Sequence, residues 1–351
     1  MKIKNVTIGA DPELFIFNTK TKSVVSSVGM IPGQKGNAWV DKSWEKGFGL
    51  ETDNILAEFN IPPCKTFDEF YNSIKFMKDY IRGFVQNVNP DYDIRCKASY
   101  IVPKDQLQSE QAKLFGCSVD YNVYTENPNP KPNGESTDLR SAGFHIHCGY
   151  DNPDIETSLI LIKYFDAYIG LPSILLDDDN NRRNLYGKAG CFRLCDYGFE
   201  YRVLSSMFLR NKSLLTFVWE GIVRALYAYS QGYELPNPDQ IQEAINNSNV
   251  ALAEKIIKKY NINFDISNID QLSLFEFGDA YVGNNDKGFI GWDAIKLNDA
   301  VDRMIKANAH DKDEVDFDEE NNRVFAGGGI MEQILADQVQ NDRPIRRANR
   351  N

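Results

Sequence analysis

RSAGFHIHCGY, residues 140–150, is the strand from which the architecture is read. The preceding stretch, YTENPNPKPNGESTD (124–138), is dense in Pro, Asn, Gly and Ser, whose backbone preferences suit turns, so the apolar FHIHCGY run begins as a strand where a loop ends. On an extended chain His145 and His147, two apart, place both imidazoles on one face. Such a pair suits a metal or ligand site, and it equally suits two histidines satisfied by hydrogen bonds. A zinc hydrolase would need further nitrogen or sulfur ligands, and the only other histidine is His310, beside an acidic segment.

Three more segments place charge inside apolar strands, where an ion is costly unless paired or bound to metal. In GADPELF (9–15), Asp11 and Glu13 share a face; a cation of the Mg²⁺ or Mn²⁺ type would relieve their repulsion, and a solvated strand end turning at Asp-Pro is the plain alternative. In ETDNILAEFN (51–60), Glu58 lies among Leu56, Ala57, Phe59 and Ile61 and is either an inward ligand or a strand-surface residue; Glu51 lies beyond a bend. In RRNLYGKAGCFRLCDYGFEYRVLSS (182–206), Glu200 and Arg202 alternate with Tyr201, as an ordinary ion pair would. The preceding Arg182, Arg183, Lys188 and Arg193, punctuated by Gly187 and Gly190, make a cationic loop, solvated or suited to polyphosphate oxygens.

Residues 5–17, 54–61 and 93–102 read as strands, while Phe67, Phe70, Ile74, Met77, Ile81 and Phe84 recur at helical spacing after Thr66, a plausible N-cap. Further helical patterns cover 154–176, 211–231, 238–247 and 250–260. Mixing without regular alternation predicts an α+β fold with a largely antiparallel sheet. Residues 1–310 read as one catalytic domain. Residues 311–351 read as a charged tail, acidic in DKDEVDFDEE and basic in RPIRRANRN.

No apolar run reaches the roughly 20 residues of a membrane span. The polar amino terminus lacks a secretory pattern, and six scattered cysteines without a CxxC pair fit a reducing cytoplasm. A net charge of −11 argues against a broad nucleic-acid surface while leaving room for a local phosphate pocket.

In order, an acidic strand, a Glu strand, a GxHxH-like strand, an arginine loop and an ExR strand, these segments resemble the glutamine synthetase and glutamate-cysteine ligase superfamily. They are most similar to the amidoligases of tailed phages, over residues 5–210. The resemblance implies a glutamine synthetase-like curved antiparallel sheet with helices on its outer face. It implies ATP and Mg²⁺ or Mn²⁺ as cofactors, with metal held by Asp11, Glu13, Glu58, His145 and Glu200. It places His147, Lys188, Arg193 and Arg202 near nucleotide, and Arg183, Arg193 and Arg202 on the transferred phosphoryl group. The implied reaction joins a small-molecule or peptide carboxylate to an amine through an acyl-phosphate. The competing readings are an ATP-dependent phosphotransferase on the same scaffold and a non-catalytic phage structural or interaction protein. Nothing in the residues chooses the substrates or the oligomeric state.

Overall fold

The computed structural model describes residues 3–113, 120–130, 137–177, 179–269 and 271. The expected domain boundary at 310 and the tail 311–351 lie outside the described residues.

The fold is α+β. Its strands are β1 (Thr7–Asn18), β2 (Ser23–Val25), β3 (Gly49–Asp53), β4 (Leu56–Asn60), β5 (Tyr92–Arg95), β6 (Ser99–Ile101), β7 (Tyr121–Asn122), β8 (Leu139–Ser141), β9 (Phe144–Gly149), β10 (Cys191–Cys195) and β11 (Gly198–Tyr201). Nine of them form one open sheet in the order β3-β4-β1-β9-β11-β10-β7, with β2 and β5 also paired to β1; β6 and β8 form a separate pair. All of the ladders among the described strands are antiparallel.

The long β1 is the hub, and it changes partners along its length. Residues 7–12 pair with β9, and Glu13 and Leu14 pair with β4. Pro12 falls at this switch. A proline cannot donate to a ladder, but the β9 side is kept by Glu13 N, which donates to Gly143 O (2.9 Å). The missing donor therefore falls on the β4 side, whose named ladder begins only at Glu13↔Glu58.

Apolar alternation turns one face of the sheet toward helices: Ile8, Ala10 and Leu14 of β1, with Phe144, Ile146, Phe199 and Tyr201. Helix α1 (Phe67–Val88) covers part of that face, burying Phe67, Phe70, Ile74, Met77, Ile81 and Val85 at three- and four-residue spacing. Thr66 and Glu69 close its first turn reciprocally as a capping box. Phe70 stacks on Phe144, with centroids 6.2 Å apart, and meets the tilted ring of Trp219 (5.5 Å). The remaining helices are α2 (Glu110–Lys113), α3 (Ile155–Phe165), α4 (Leu171–Ser173), α5 (Asn180–Leu185), α6 (Lys212–Gln231), α7 (Pro238–Asn246) and α8 (Val250–Lys259). Between α3 and α4, Asp166–Gly170 widens to a π-helical turn.

Two departures from the sequence reading have physical causes. The run 93–102 is two strands: β5 joins β1, the chain breaks at Cys96–Ala98, and β6 leaves to pair with β8. The strand over 54–61 is the second arm of a hairpin, since Asn54 adopts a left-handed φ of 55° and folds β3 back onto β4. Cys64, Cys96, Cys148, Cys191 and Cys195 are free thiols, and no described helix is long and apolar enough to cross a membrane.

Candidate active site

The face of the sheet turned away from α1 carries the charge. Residues directly opposite in an antiparallel ladder point to the same side, so register alone aligns the site. Asp11 pairs with His145, Gly9 with His147, His147 with Glu200, Glu200 with Arg193, Glu13 with Glu58, and Glu58 with Glu51. Asp11 and Glu13 alternate on β1, as His145 and His147 do on β9. Nearly all of this polar face is buried, which burial alone would oppose without pairing.

Two carboxylate-bearing groups stand on this face. In the first, Glu13, Asp53 and Glu58 present oxygens within 4.8 Å of one another. Glu13 Oε2 accepts from Gly143 N at 2.6 Å, and Asp53 is ion-paired with Lys35 at 2.9 Å. In the second, carboxylate oxygens of Asp11 and Glu200 and a ring nitrogen of His147 lie within the same distance. His147 Nε2 lies 3.1 Å from Asp11 Oδ1, and Nδ1 is hydrogen-bonded to the Tyr197 hydroxyl, which aims the ring. His145 Nδ1 sits 3.1 Å from Asp11 and 3.3 Å from Glu200. Three hard oxygen ligands suit Mg²⁺ or Mn²⁺, and a mixed oxygen–imidazole set suits Mn²⁺ better than Mg²⁺, so both groups fit a divalent cation.

The charges hold one another in place. Burial would raise the Asp11 carboxyl, but His147 and His145 outweigh it and hold it well below the usual carboxylate range. Burial would lower His147, and Asp11 with Glu200 behind it raises it instead. Glu200 is likewise opposed by burial, yet Arg193 (3.0 Å) and Arg202, in direct contact, bring it down to about 2.

A cleft of about 460 Å³, its open mouth included, lies over this face between β1, β9 and α5. Glu13, Asp53, Asp120, His145, Arg182 and Arg202 line it. Arg182 is almost wholly buried, its Nε donating to Ala142 O (3.1 Å) and Nη1 to Val203 O (3.0 Å). Two glycines make its channel. A Cβ on Gly143 would sit 2.5 Å from His145 Nε2 and 3.1 Å from Arg182 Nη2, and one on Gly187 would sit 2.0 Å from Arg182 Nη1.

Of the residues expected from sequence, Asp11, Glu13, Glu58, His145, His147, Glu200, Arg193 and Arg202 converge on this face. Arg183 does not. The segment that reads as a loop is helix α5, where neighbours diverge by about 100°, so Arg182 takes the cleft while Arg183 points into the core. There Arg183 lies 4.0 Å from Asp177 and 3.5 Å from Ser173 Oγ. Lys188 is half-buried in the turn before β10; like Asp11, Glu58, His147, Arg193 and Glu200, it is not among the cleft-lining residues. The geometry also brings His147 into the second cation-compatible group, with His145 against the same two carboxylates. The sequence reading names Arg182 only within the cationic loop and gives Asp53 and Asp120 no role. Asp53 had a signal, being two residues beyond Glu51 on an alternating strand; Asp120, preceding a two-residue strand, had none.

The reverse side of β11 is pinned by a buried acid. Asp166, on the π-helical turn, accepts from Tyr201 (2.7 Å) and Tyr124 (3.0 Å). Burial outweighs these bonds and lifts its carboxyl from 3.8 to about 7. The folded protein thus keeps a proton between those values that the unfolded chain has released, so stability falls as pH rises through this window. Asp166→Asn is expected to flatten that part of the pH–stability curve, measured by urea unfolding from pH 4.5 to 8; parallel curves for both proteins would remove the effect.

Residues 136–273 match the model of the family described as phage phiEco32-like COOH.NH2 ligase-type 2. That segment contributes β8, β9, α5, β10 and β11 to the site, whereas Asp11, Glu13, Asp53 and Glu58 precede it. No curated protein matches the chain. The resemblance read from the sequence over residues 5–210 meets the same family where the two overlap, at 136–210, and the match supports an enzyme of the phage-type carboxylate-amine ligase kind.

Proposed function

We propose that the protein is an ATP-dependent ligase that activates a carboxylate as an acyl-phosphate and transfers the acyl group to an amine. The observation that carries this reading is the gathering, on one buried sheet face, of two cation-compatible carboxylate groups beside Arg182, Arg193 and Arg202. A carboxylate is a poor acyl donor because oxide would have to leave, so amide formation in water needs activation. Phosphoryl transfer needs positioning and charge neutralisation more than covalent help from the protein.

Glu13, Asp53 and Glu58 would hold one divalent ion and Asp11, His147 and Glu200 another; bound there, the ions would supply charge neutralisation at the phosphate oxygens. Lys35 would leave Asp53 as that position fills. Arg202 and Arg193, held by Glu200, would present fixed guanidinium forks to the transferring group. Arg182, locked by two backbone carbonyls, adds a third cation at the cleft wall. The walls of β1, β9 and α5 would limit water, against which an acyl-phosphate must be protected.

The test is ADP release by the full-length protein with ATP, Mg²⁺ or Mn²⁺, and pooled amino acids and peptides. The ligase reading expects ADP only when both a carboxylate and an amine are present, with a new amide among the products. A stable phosphorylated product needing no amine would identify a phosphotransferase instead. No turnover with any pool would leave a non-catalytic scaffold.

A further inference from the structure

The cleft holds one acid that the phosphoryl-transfer machinery does not use. Asp120 immediately precedes β7, whose partner β10 accepts at Cys191 O the hydrogen bond from Arg202 N (3.0 Å), so the chain delivers Asp120 beside Arg202. Its side chain is almost fully buried, and it lines the same cleft as Glu13, His145 and Arg202. Asn129 hydrogen-bonds the carboxylate, and Arg202 Nε stands 3.8 Å from Oδ2, outside hydrogen-bond range. Oδ1 is buried and has no hydrogen-bond partner among the described residues.

An ionised carboxylate with a bare buried oxygen is costly, and proteins tolerate one where a ligand completes it. Arg202 does not complete it, because its approach is through Nε to the other oxygen, Oδ2, at 3.8 Å. Burial outweighs the pull of Arg202 and Arg193 and leaves the Asp120 carboxyl above its ordinary range. The missing partner is therefore a hydrogen-bond donor, best a cationic one, small enough to enter the cleft beside the phosphoryl-binding arginines. In a ligase that donor is the second substrate, since a primary amine reaches the protein as an ammonium ion at neutral pH.

We infer that Asp120 is the catalytic residue that binds the protonated amine through Oδ1 and accepts the proton that frees its lone pair. This rests on the ligase reading above. The step balances without further reagents. The ammonium gives one proton to Asp120, and the amine lone pair attacks the acyl carbon to form the C–N bond. The acyl C–O bond to phosphate then breaks, and its electron pair leaves with the phosphate. The nitrogen's second surplus proton goes to the departing phosphate, giving hydrogen phosphate and a neutral amide. Asp120 returns its proton to solvent.

Hydroxylamine separates this role from packing, because it is uncharged at neutral pH and needs no base to expose its lone pair. The full-length protein would be assayed with ATP, Mg²⁺ and pooled amino-acid and dipeptide carboxylates, with either hydroxylamine or protonated amines (amino acids, dipeptides, alkylamines) as acceptor. Asp120→Asn keeps the shape and can still bond Asn129. It is expected to lower amine-supported ADP release by about 100-fold, the lower range for a lost general base. The ratio of hydroxamate formation to amine-supported turnover should rise by a similar factor, and Asp120→Glu should restore part of the difference. An unchanged ratio, whether both activities fall together or neither does, overturns the assignment. So does a wild type that forms hydroxamate but accepts no protonated amine. A wild type that forms neither hydroxamate nor ADP fails the ligase reading itself, and the role of Asp120 falls with it.

Discussion

Glu13→Gln is expected to lower amide-forming turnover by about 1,000-fold, some 4 kcal/mol of transition-state stabilisation, while leaving the fold intact. Glutamine has the same shape, and its amide oxygen can take over the bond from Gly143 N that Glu13 Oε2 now accepts at 2.6 Å. What disappears is charge. Glu13, Asp53 and Glu58 hold three acid groups within reach of one another, balanced at rest by Lys35 on Asp53. Crowding like charges in a buried place is destabilising, so removing one should leave the thermal midpoint unchanged or higher, the usual cost of a functional site run in reverse. Loss of turnover in a protein that is no less stable separates a ligand role from a structural one. Titration with Mn²⁺ should show the variant needing at least about 10-fold more metal for its residual activity. Full activity at ordinary metal concentration would rule out Glu13 as a ligand.

The pieces of this site were legible in the sequence wherever local period was enough. Two-residue spacing puts Asp11 with Glu13, His145 with His147, and Glu200 with Arg202; the ladders keep the first two pairs on the predicted face, and Arg202, just past β11, meets Glu200 directly. Which pairs meet is another matter, because Asp11 and His145 touch across 134 positions of chain and only strand pairing brings them together. Arg182 and Arg183 show the limit sharply. A six-residue helix, α5, is too short to announce itself through periodicity, and reading its residues as a loop offers no reason to prefer one arginine to its neighbour. The Cα direction decides it: one guanidinium enters the cleft and the other meets Asp177. Asp120 is harder still, since its role depends on β7, a strand of two residues whose pairing no pattern signals. The helices fared better. Those over Phe67–Val88, Lys212–Gln231, Pro238–Asn246 and Val250–Lys259 fall within a residue or so of their apolar repeats, because each buries one face.

Arg202→Ala is expected to reduce kcat by about 1,000- to 100,000-fold, the range for a guanidinium that stabilises a transferring phosphoryl group, with a smaller change in equilibrium ATP binding. Arg202 lies on the cleft wall in contact with Glu200 and 3.8 Å from Asp120, so it links the anion-binding face to the proposed amine pocket. Alanine also strips a buried carboxylate of one cation, and breaking such a pair typically costs about 3–5 kcal/mol. Arg193 at 3.0 Å still holds Glu200, which limits that loss. Arg202→Lys removes the ambiguity. Lysine keeps the charge beside Glu200 but lacks the planar fork that grips two phosphate oxygens at once. If Arg202 serves only to neutralise Glu200, the lysine variant should recover both thermal midpoint and turnover. If it clamps the transferring group, the lysine variant should recover the midpoint and ATP binding while kcat stays at least about 100-fold below wild type. Calorimetric ATP binding and ADP release on the same preparations distinguish these outcomes, and a lysine variant at wild-type kcat would remove Arg202 from phosphoryl transfer.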